Sequence, residues 1–121
     1  MTEHVIDIPN WNPTPLNKLL GNWRAAAKLK KADREMIWAY CRKVGINCYE
    51  GTPVKRSVEL IITLEPRQRP FDVDSLFKST LDALVHAYAL FNDSPKWCEL
   101  LPVRFERGER KATRIVLRDL L

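Results

Sequence analysis

The segment Pro70-Phe71-Asp72-Val73-Asp74-Ser75-Leu76-Phe77-Lys78 sets two carboxylates one residue apart, and a third lies 21 residues beyond the first, in Phe91-Asn92-Asp93-Ser94-Pro95. Carboxylates this close repel each other, and burying them unpaired is costly. Between Asp74 and Asp93 the apolar residues recur at helical spacing. The fold must therefore begin a helix beside two like charges, and a divalent cation between them is the readiest way to meet that cost.

The 121 residues suffice for one compact domain and not for two. No stretch approaches the ~18 apolar residues of a membrane span, so no membrane association is expected. Met1-Thr2-Glu3-His4-Val5-Ile6-Asp7 lacks the basic start and apolar core of a signal peptide, which points to a cytoplasmic protein. Cys41, Cys48 and Cys98 show no C-x-x-C spacing, and only His4 and His86 accompany them. That argues against zinc and for reduced thiols serving as small core residues. The net charge of +5 is uneven: residues 21–70 carry 11 Lys/Arg against 5 Asp/Glu, whereas residues 71–121 carry 8 of each. The basic excess sits just before the acidic motif, as a polyanion partner or a merely solvated face would require.

His4 to Ile8 is expected as a first strand, stopped by Pro9, with a loop over residues 9–17. A first helix starts near Asn22 as its cap and buries Leu29, Ala32, Met36, Tyr40 and Val44, with Ile37 beside them. Gly45 ends it and Ile46 closes back on the last turn. Val58 to Leu64 is a strand with Val58, Leu60, Ile62 and Leu64 on its core face. Residues 65–70 leave it as an extended basic arm. A second helix spans about 74–90 and buries Leu76, Phe77, Thr80, Leu81, Leu84, Ala87, Tyr88 and Phe91. Asp74, Lys78 and Asp82 lie on its other face with Val85 and Ala89. Trp97–Leu101 and Val103–Glu106 form one strand broken by Pro102, at an edge or bulge. Ala112–Arg118 is the last strand, after a hairpin at Gly108. The order β-α-β-α-β-β predicts a single α+β domain, two helices packed on a mixed or antiparallel sheet.

Two readings of the acids compete. In one, Asp74 caps a helix and Asp72 is a charge favoured by the helix dipole. In the other, Asp72, Asp74 and Asp93 hold a hard cation, with Lys78 and the Arg67/Arg69 arm facing a phosphate. The motif Asp72-x-Asp74-Ser75-x-x-Lys78, followed by Leu81-Asp82-Ala83-Leu84 and Asn92-Asp93, resembles the RusA family of Holliday junction resolvases. The loop with Asn17 and the basic helix after it are similar as well. Ser75 and Asn92 depart from the family's usual Asn and Asp. The resemblance implies a small homodimeric endonuclease, dependent on Mg²⁺ or Mn²⁺, that nicks four-way DNA junctions symmetrically in bacterial or phage recombination and repair. It makes Asp72, Asp74 and Asp93 the catalytic and metal-binding carboxylates and Lys78 their basic partner. Lys28, Lys30, Lys31, Arg34, Arg67 and Arg69 are the candidate DNA contacts. Phe71 is either a wedge into unstacked bases or a core anchor. Lys78 could neutralise the scissile phosphate, orient the attacking water, or pair with Asp74 and Asp82 along the helix. A non-catalytic DNA-binding protein, and a metal nuclease acting on other branched DNA or RNA, are the alternatives.

The helical stretch poses a geometric problem. Sixteen steps from Asp74 to Leu90 span roughly 24 Å at ~1.5 Å each, which carries Asp93 far from Asp72 and Asp74. Either the helix is shorter, or the following loop doubles back, or two chains share each site, packed antiparallel through the face that carries Val85 and Ala89.

Overall fold

The computed structural model describes residues 3–14, 23–46, 54–69 and 73–120, the backbone alone at 23 and 73–77. Its elements are β1 (Glu3–Pro9), α1 (Trp23–Val44), β2 (Lys55–Leu64), α2 (Val73–His86), β3 (Cys98–Leu100), β4 (Arg104–Arg107) and β5 (Ala112–Leu120). The strands form one mixed sheet in the order β1-β5-β2-β3, with β4 also on β2. β5 is antiparallel to β1 and β2, whereas β3 and β4 run parallel to β2. β1 and β2 therefore share a direction, and α1 and α2 each carry the chain back to begin another parallel strand. The two helices consequently run the same way across the sheet. The expected α+β domain with two helices and a mixed sheet is the observed one.

Alternation along the strands builds the core. Val58, Leu60, Ile62 and Leu64 are fully buried, as expected from their spacing. Register lines them up in rows, His4–Leu117–Val58, Ile6–Ile115–Leu60 and Ile8–Thr113–Ile62. The opposite face is a ladder of charges. Arg114 grips Asp7 with two hydrogen bonds (2.6 and 3.2 Å), Arg118 pairs with Glu3 (2.9 Å) and Glu59 (3.6 Å), and Arg104 pairs with Glu106 (3.2 Å). Pro102 breaks the outer strand into β3 and β4, which both dock on β2, so the expected interruption falls on an edge.

The core row at the start of β2 is ionic. Arg56, 5% exposed, faces Asp119 of β5 directly in the register. Its Nε donates to Asp119 Oδ1 (2.7 Å) and its Nη1 to the Ala89 carbonyl beyond α2 (2.7 Å). His4 Nε2 lies 3.5 Å from Nη2 and 3.7 Å from Asp119. Burial, then the Arg56 charge, push the His4 imidazole below its ordinary pKa, against a weaker upward pull from Asp119.

Both helices end alike. Gly45, at φ 75°, donates to Arg42, and Ile46 donates to Cys41, closing α1 as its sequence predicts. Tyr88, at φ 62°, donates to Val85, and Ala89 donates to Leu84, closing α2. The second helix therefore stops at His86 rather than near residue 90. A Schellman turn at a non-glycine residue ends it, and the Arg56 guanidinium holds the carbonyl of Ala89 beyond it. Ala89 is then fully buried and Tyr88 is 52% exposed, the reverse of their expected placements.

The α1 stripe is also rotated. Ala26, Asp33, Ile37 and Cys41 face inward, whereas Leu29, Ala32 and Val44 are exposed and Met36 and Tyr40 half-buried. Asp33 explains the rotation: its carboxylate accepts the Thr14 amide (2.8 Å), tying the loop after β1 onto the helix. Burial raises its pKa above the ordinary carboxylate value despite that bond. Residues 65–68 form a turn, not an extended arm. The Gln68 amide donates to the Glu65 carbonyl (3.0 Å), and Arg107 Nη1 donates to the carbonyls of both Glu65 and Gln68. Gly108 packs closely beside it: a Cβ there would lie 2.9 Å from Thr63 Cγ2, and the threonine side chain or the turn would have to shift. Cys41 and Cys98 are free and buried, as expected, and Cys48 lies outside the described residues.

Two outcomes follow from the ionic row. Arg56→Met strands Asp119 and the Ala89 carbonyl and should cost ~3 kcal/mol or more in chemical denaturation, whereas Arg114→Met on the solvated face should cost less than ~1 kcal/mol. His4 favours its neutral form when folded, so the unfolded chain takes up the proton first. Stability should be full above the ordinary histidine pKa of 6.5 and fall as pH drops through the lowered folded value. His4→Gln should flatten that part of the stability–pH curve.

Candidate nucleic-acid interface and acidic site

α2 starts only four residues after Arg69, beside the turn that caps the far end of β2. Four residues reach at most ~14 Å, so the N-terminus of α2, with Asp74 in its first turn, lies at that end of the sheet. Lys78 is exposed one turn further on. Arg67 and Arg69 are exposed on or next to the turn. From α1, Lys30 and Arg34 meet Ser79, Asp82 and Ala83 of α2 around a crevice of about 30 Å³. The hydroxyls of Ser79 and Thr80 are buried in α2 without a hydrogen-bond partner among the described residues.

The cations divide by face. Those on the outer sheet surface, Arg104, Arg114 and Arg118, are spent on carboxylates within the chain. Lys28, Lys30, Arg34, Arg67, Arg69 and Lys78 have no ion-pair partner among the described residues, and Lys31 only a long one, Glu35 at 3.9 Å. Uncompensated positive charge therefore lies along the helical layer and on the turn leading into α2, and Lys55, Lys96, Arg110 and Lys111 likewise have no ion-pair partner among the described residues. A wide cleft of about 590 Å³ lies elsewhere, lined by Asp7, Tyr40, Lys43, Arg104, Glu106 and Arg114 among others. Its acids and most of its bases are mutually paired, and the acidic motif is not part of it.

Asp93 sits at the opposite end. The Ser94 carbonyl accepts from Trp97 (2.9 Å) and Cys98 (3.0 Å), and the Trp97 carbonyl accepts from Arg56 (3.0 Å), which pins the connection beside the start of β2. Asp93 lies close to Cys98: burial, with a further push from the Asp93 charge, raises the Cys98 thiol to about 11. From Asp74 to His86 the helix alone spans about 18 Å. Two carboxylates on one ion lie within about 5 Å of each other. The helix is thus shorter, as one alternative allowed, yet Asp93 does not reach Asp74 within one chain. Among the described residues no three His, Cys, Asp or Glu side chains gather as metal ligands. Asp72, Phe71, Asn17 and Asn22 lie outside the described residues, as does the side chain of Asp74. Ala89 belongs to the core and so lends no support to antiparallel packing through the outer face of α2; Val85 remains half-buried.

Two residues of this surface escape a reading by apolar stripe and charge count. Trp38 is 43% exposed on α1, and the Arg42 guanidinium carbon lies 5.1 Å from its ring centroid. A signal for them is present in the sequence: Arg34, Trp38 and Arg42 are spaced by four, off the apolar stripe.

No known protein family matches this chain, and no curated protein sequence is detectably similar to it. Among the described residues, no helix is long and apolar enough to cross a membrane.

Neutralising Arg67 and Arg69 together by glutamine should flatten the log–log salt dependence of DNA binding by about 0.9 for each phosphate left without its cation. Arg104→Gln with Arg114→Gln should leave that slope unchanged in the same titration.

Proposed function

We propose that this chain is a divalent-metal-dependent endonuclease that nicks branched DNA, four-way junctions above all, as a homodimer of the RusA type in a bacterial or phage-infected cytoplasm. The observation that supports it most is the position of Asp74, in the first turn of α2, next to cations that have no ion-pair partner among the described residues. Asp72, Asp74 and Asp93 offer hard carboxylate oxygens, the donor type that Mg²⁺ or Mn²⁺ prefers. A bound ion would supply an activated water and offset charge on the leaving 3′-oxygen. Lys78, exposed on the same helix, faces the strand and balances charge growing on the scissile phosphate. Arg67 and Arg69, with Lys28, Lys30, Lys31 and Arg34, hold the flanking phosphates.

The separation of Asp93 from Asp74 supports a site built from two chains. Two isologous sites suit the two equivalent strands of a four-way junction. Ser75 and Asn92 leave the three acids in place. A monomer, by contrast, would keep the acids apart and could only bind, so oligomeric state separates the nuclease from a non-catalytic DNA-binding protein.

Cleavage of a synthetic junction in Mg²⁺ should be lost in EDTA and in Asp72→Asn. A mixed dimer of Asp72→Asn and Asp93→Asn chains should keep one working site and nick one strand; complete inactivity would point to sites built within one chain. Lys78→Met should lower cleavage by roughly 10²–10³-fold with junction binding retained, and near-normal cutting would reduce Lys78 to a helix-surface ion pair.

A further inference from the structure

We infer that Trp38, set between Arg34 and Arg42 on the outer face of α1, is a stacking platform for an unpaired base of a bound nucleic-acid strand. The inference rests on the nucleic-acid reading above and not on catalysis. A tryptophan left 43% exposed is an expensive surface residue, and Trp38 belongs neither to the core cluster nor to the half-buried residues packed against it. The fold does not need its ring. Arg42 lies over that ring at 5.1 Å, an interaction worth only ~0.5–1 kcal/mol at an exposed site.

The surroundings define the occupant. Arg34, Trp38 and Arg42 stand one turn apart on a single line of the helix. Lys30 and Arg34 extend that line toward α2, where they border the crevice with Asp82. Positive charge on both sides of an exposed indole complements a chain that alternates phosphates with flat π-faces. Duplex bases are stacked on one another and offer no free face. Bases at a crossover, a flap or a single strand do. The arrangement therefore selects for unpaired nucleotides, and would let the protein tell a branch point from plain duplex.

The test uses the full-length protein in EDTA, with oligo(dT), a four-way junction and linear duplex as probes. Oligo(dT) should quench the intrinsic fluorescence of the wild type, and Trp38→Phe, which keeps Trp11, Trp23 and Trp97, should lose most of that quenching. Trp38→Ala should weaken binding to oligo(dT) and the junction by about five- to a hundredfold, and duplex binding by less than twofold. Circular dichroism should show all variants folded, and the Trp38→Phe comparison stands even if Trp38→Ala does not fold. Unchanged oligo(dT) affinity and quenching would overturn the inference. So would an equal loss on duplex, or a loss of self-association with nucleic-acid binding intact. A protein that shows the quenching but never cuts a junction loses the nuclease reading and keeps this one; one that cuts normally without the quenching loses this one alone.

Discussion

A buried guanidinium decides how this chain closes. Arg56 belongs to the inward-facing row of β2, among residues that bury only hydrocarbon, and an unpaired cation there would cost several kcal/mol. Each guanidinium nitrogen therefore has a neighbour: Asp119 from the last strand, the Ala89 carbonyl beyond the second helix, and His4 of the first strand within reach of the third nitrogen. Its own amide binds the connection into β3. Four segments distant in sequence thus meet at one ion. Sliding β5 by one residue against β2 would turn Asp119 to the solvent face and leave Arg56 buried alone, so the pair fixes register more than it adds stability.

The same residue also sets how far apart the acids stand. With its side chain on the Ala89 carbonyl and its backbone amide on the Trp97 carbonyl, Arg56 anchors the end of the α2–β3 connection at the start of β2. The topology sends α2 away from that point, so its first turn emerges at the opposite end, beside the clasped turn at 65–68. Acids 19 residues apart in sequence (Asp74 and Asp93) are thereby held at opposite ends of one helix. The charge ladder on the far face of the sheet completes the division. Its arginines answer carboxylates within the chain, whereas Lys28, Lys30 and Arg34 of the helical layer have no ion-pair partner among the described residues.

Much of this is legible in the residues. Strict alternation in Val58-Glu59-Leu60-Ile61-Ile62-Thr63-Leu64 marks a strand by local rules, and Gly45 marks a helix end because only a residue tolerant of positive φ can sit there. Misplacements arise where a distant partner overrides a local rule. Apolar residues alone misplace the α1 stripe, because a carboxylate, Asp33, lies on the inward side and its partner is Thr14, 19 residues upstream. α2 reads too long because no glycine or proline marks its end; Tyr88 takes the left-handed conformation instead, and a tyrosine gives no such warning. Arg56 is invisible as a core residue, since nothing near it in sequence shows which acid neutralises it. The basic surplus can be counted, but which cations are already paired depends on the sheet register. The acids are identifiable from their spacing, but their separation is not, because a loop that doubles back is equally compatible with the sequence until residues 94–98 are seen pinned beside the start of β2.

The interruption at Pro102 has a consequence for self-association. A long outer strand with free amides and carbonyls is a template on which another chain can add, and such addition leads to open-ended fibres. Here that border is two short pieces, three and four residues long, separated by three residues of which the middle one, Pro102, has no amide hydrogen. The sheet's growing edge on that side is blunted, which disfavours backbone ladders that propagate from copy to copy.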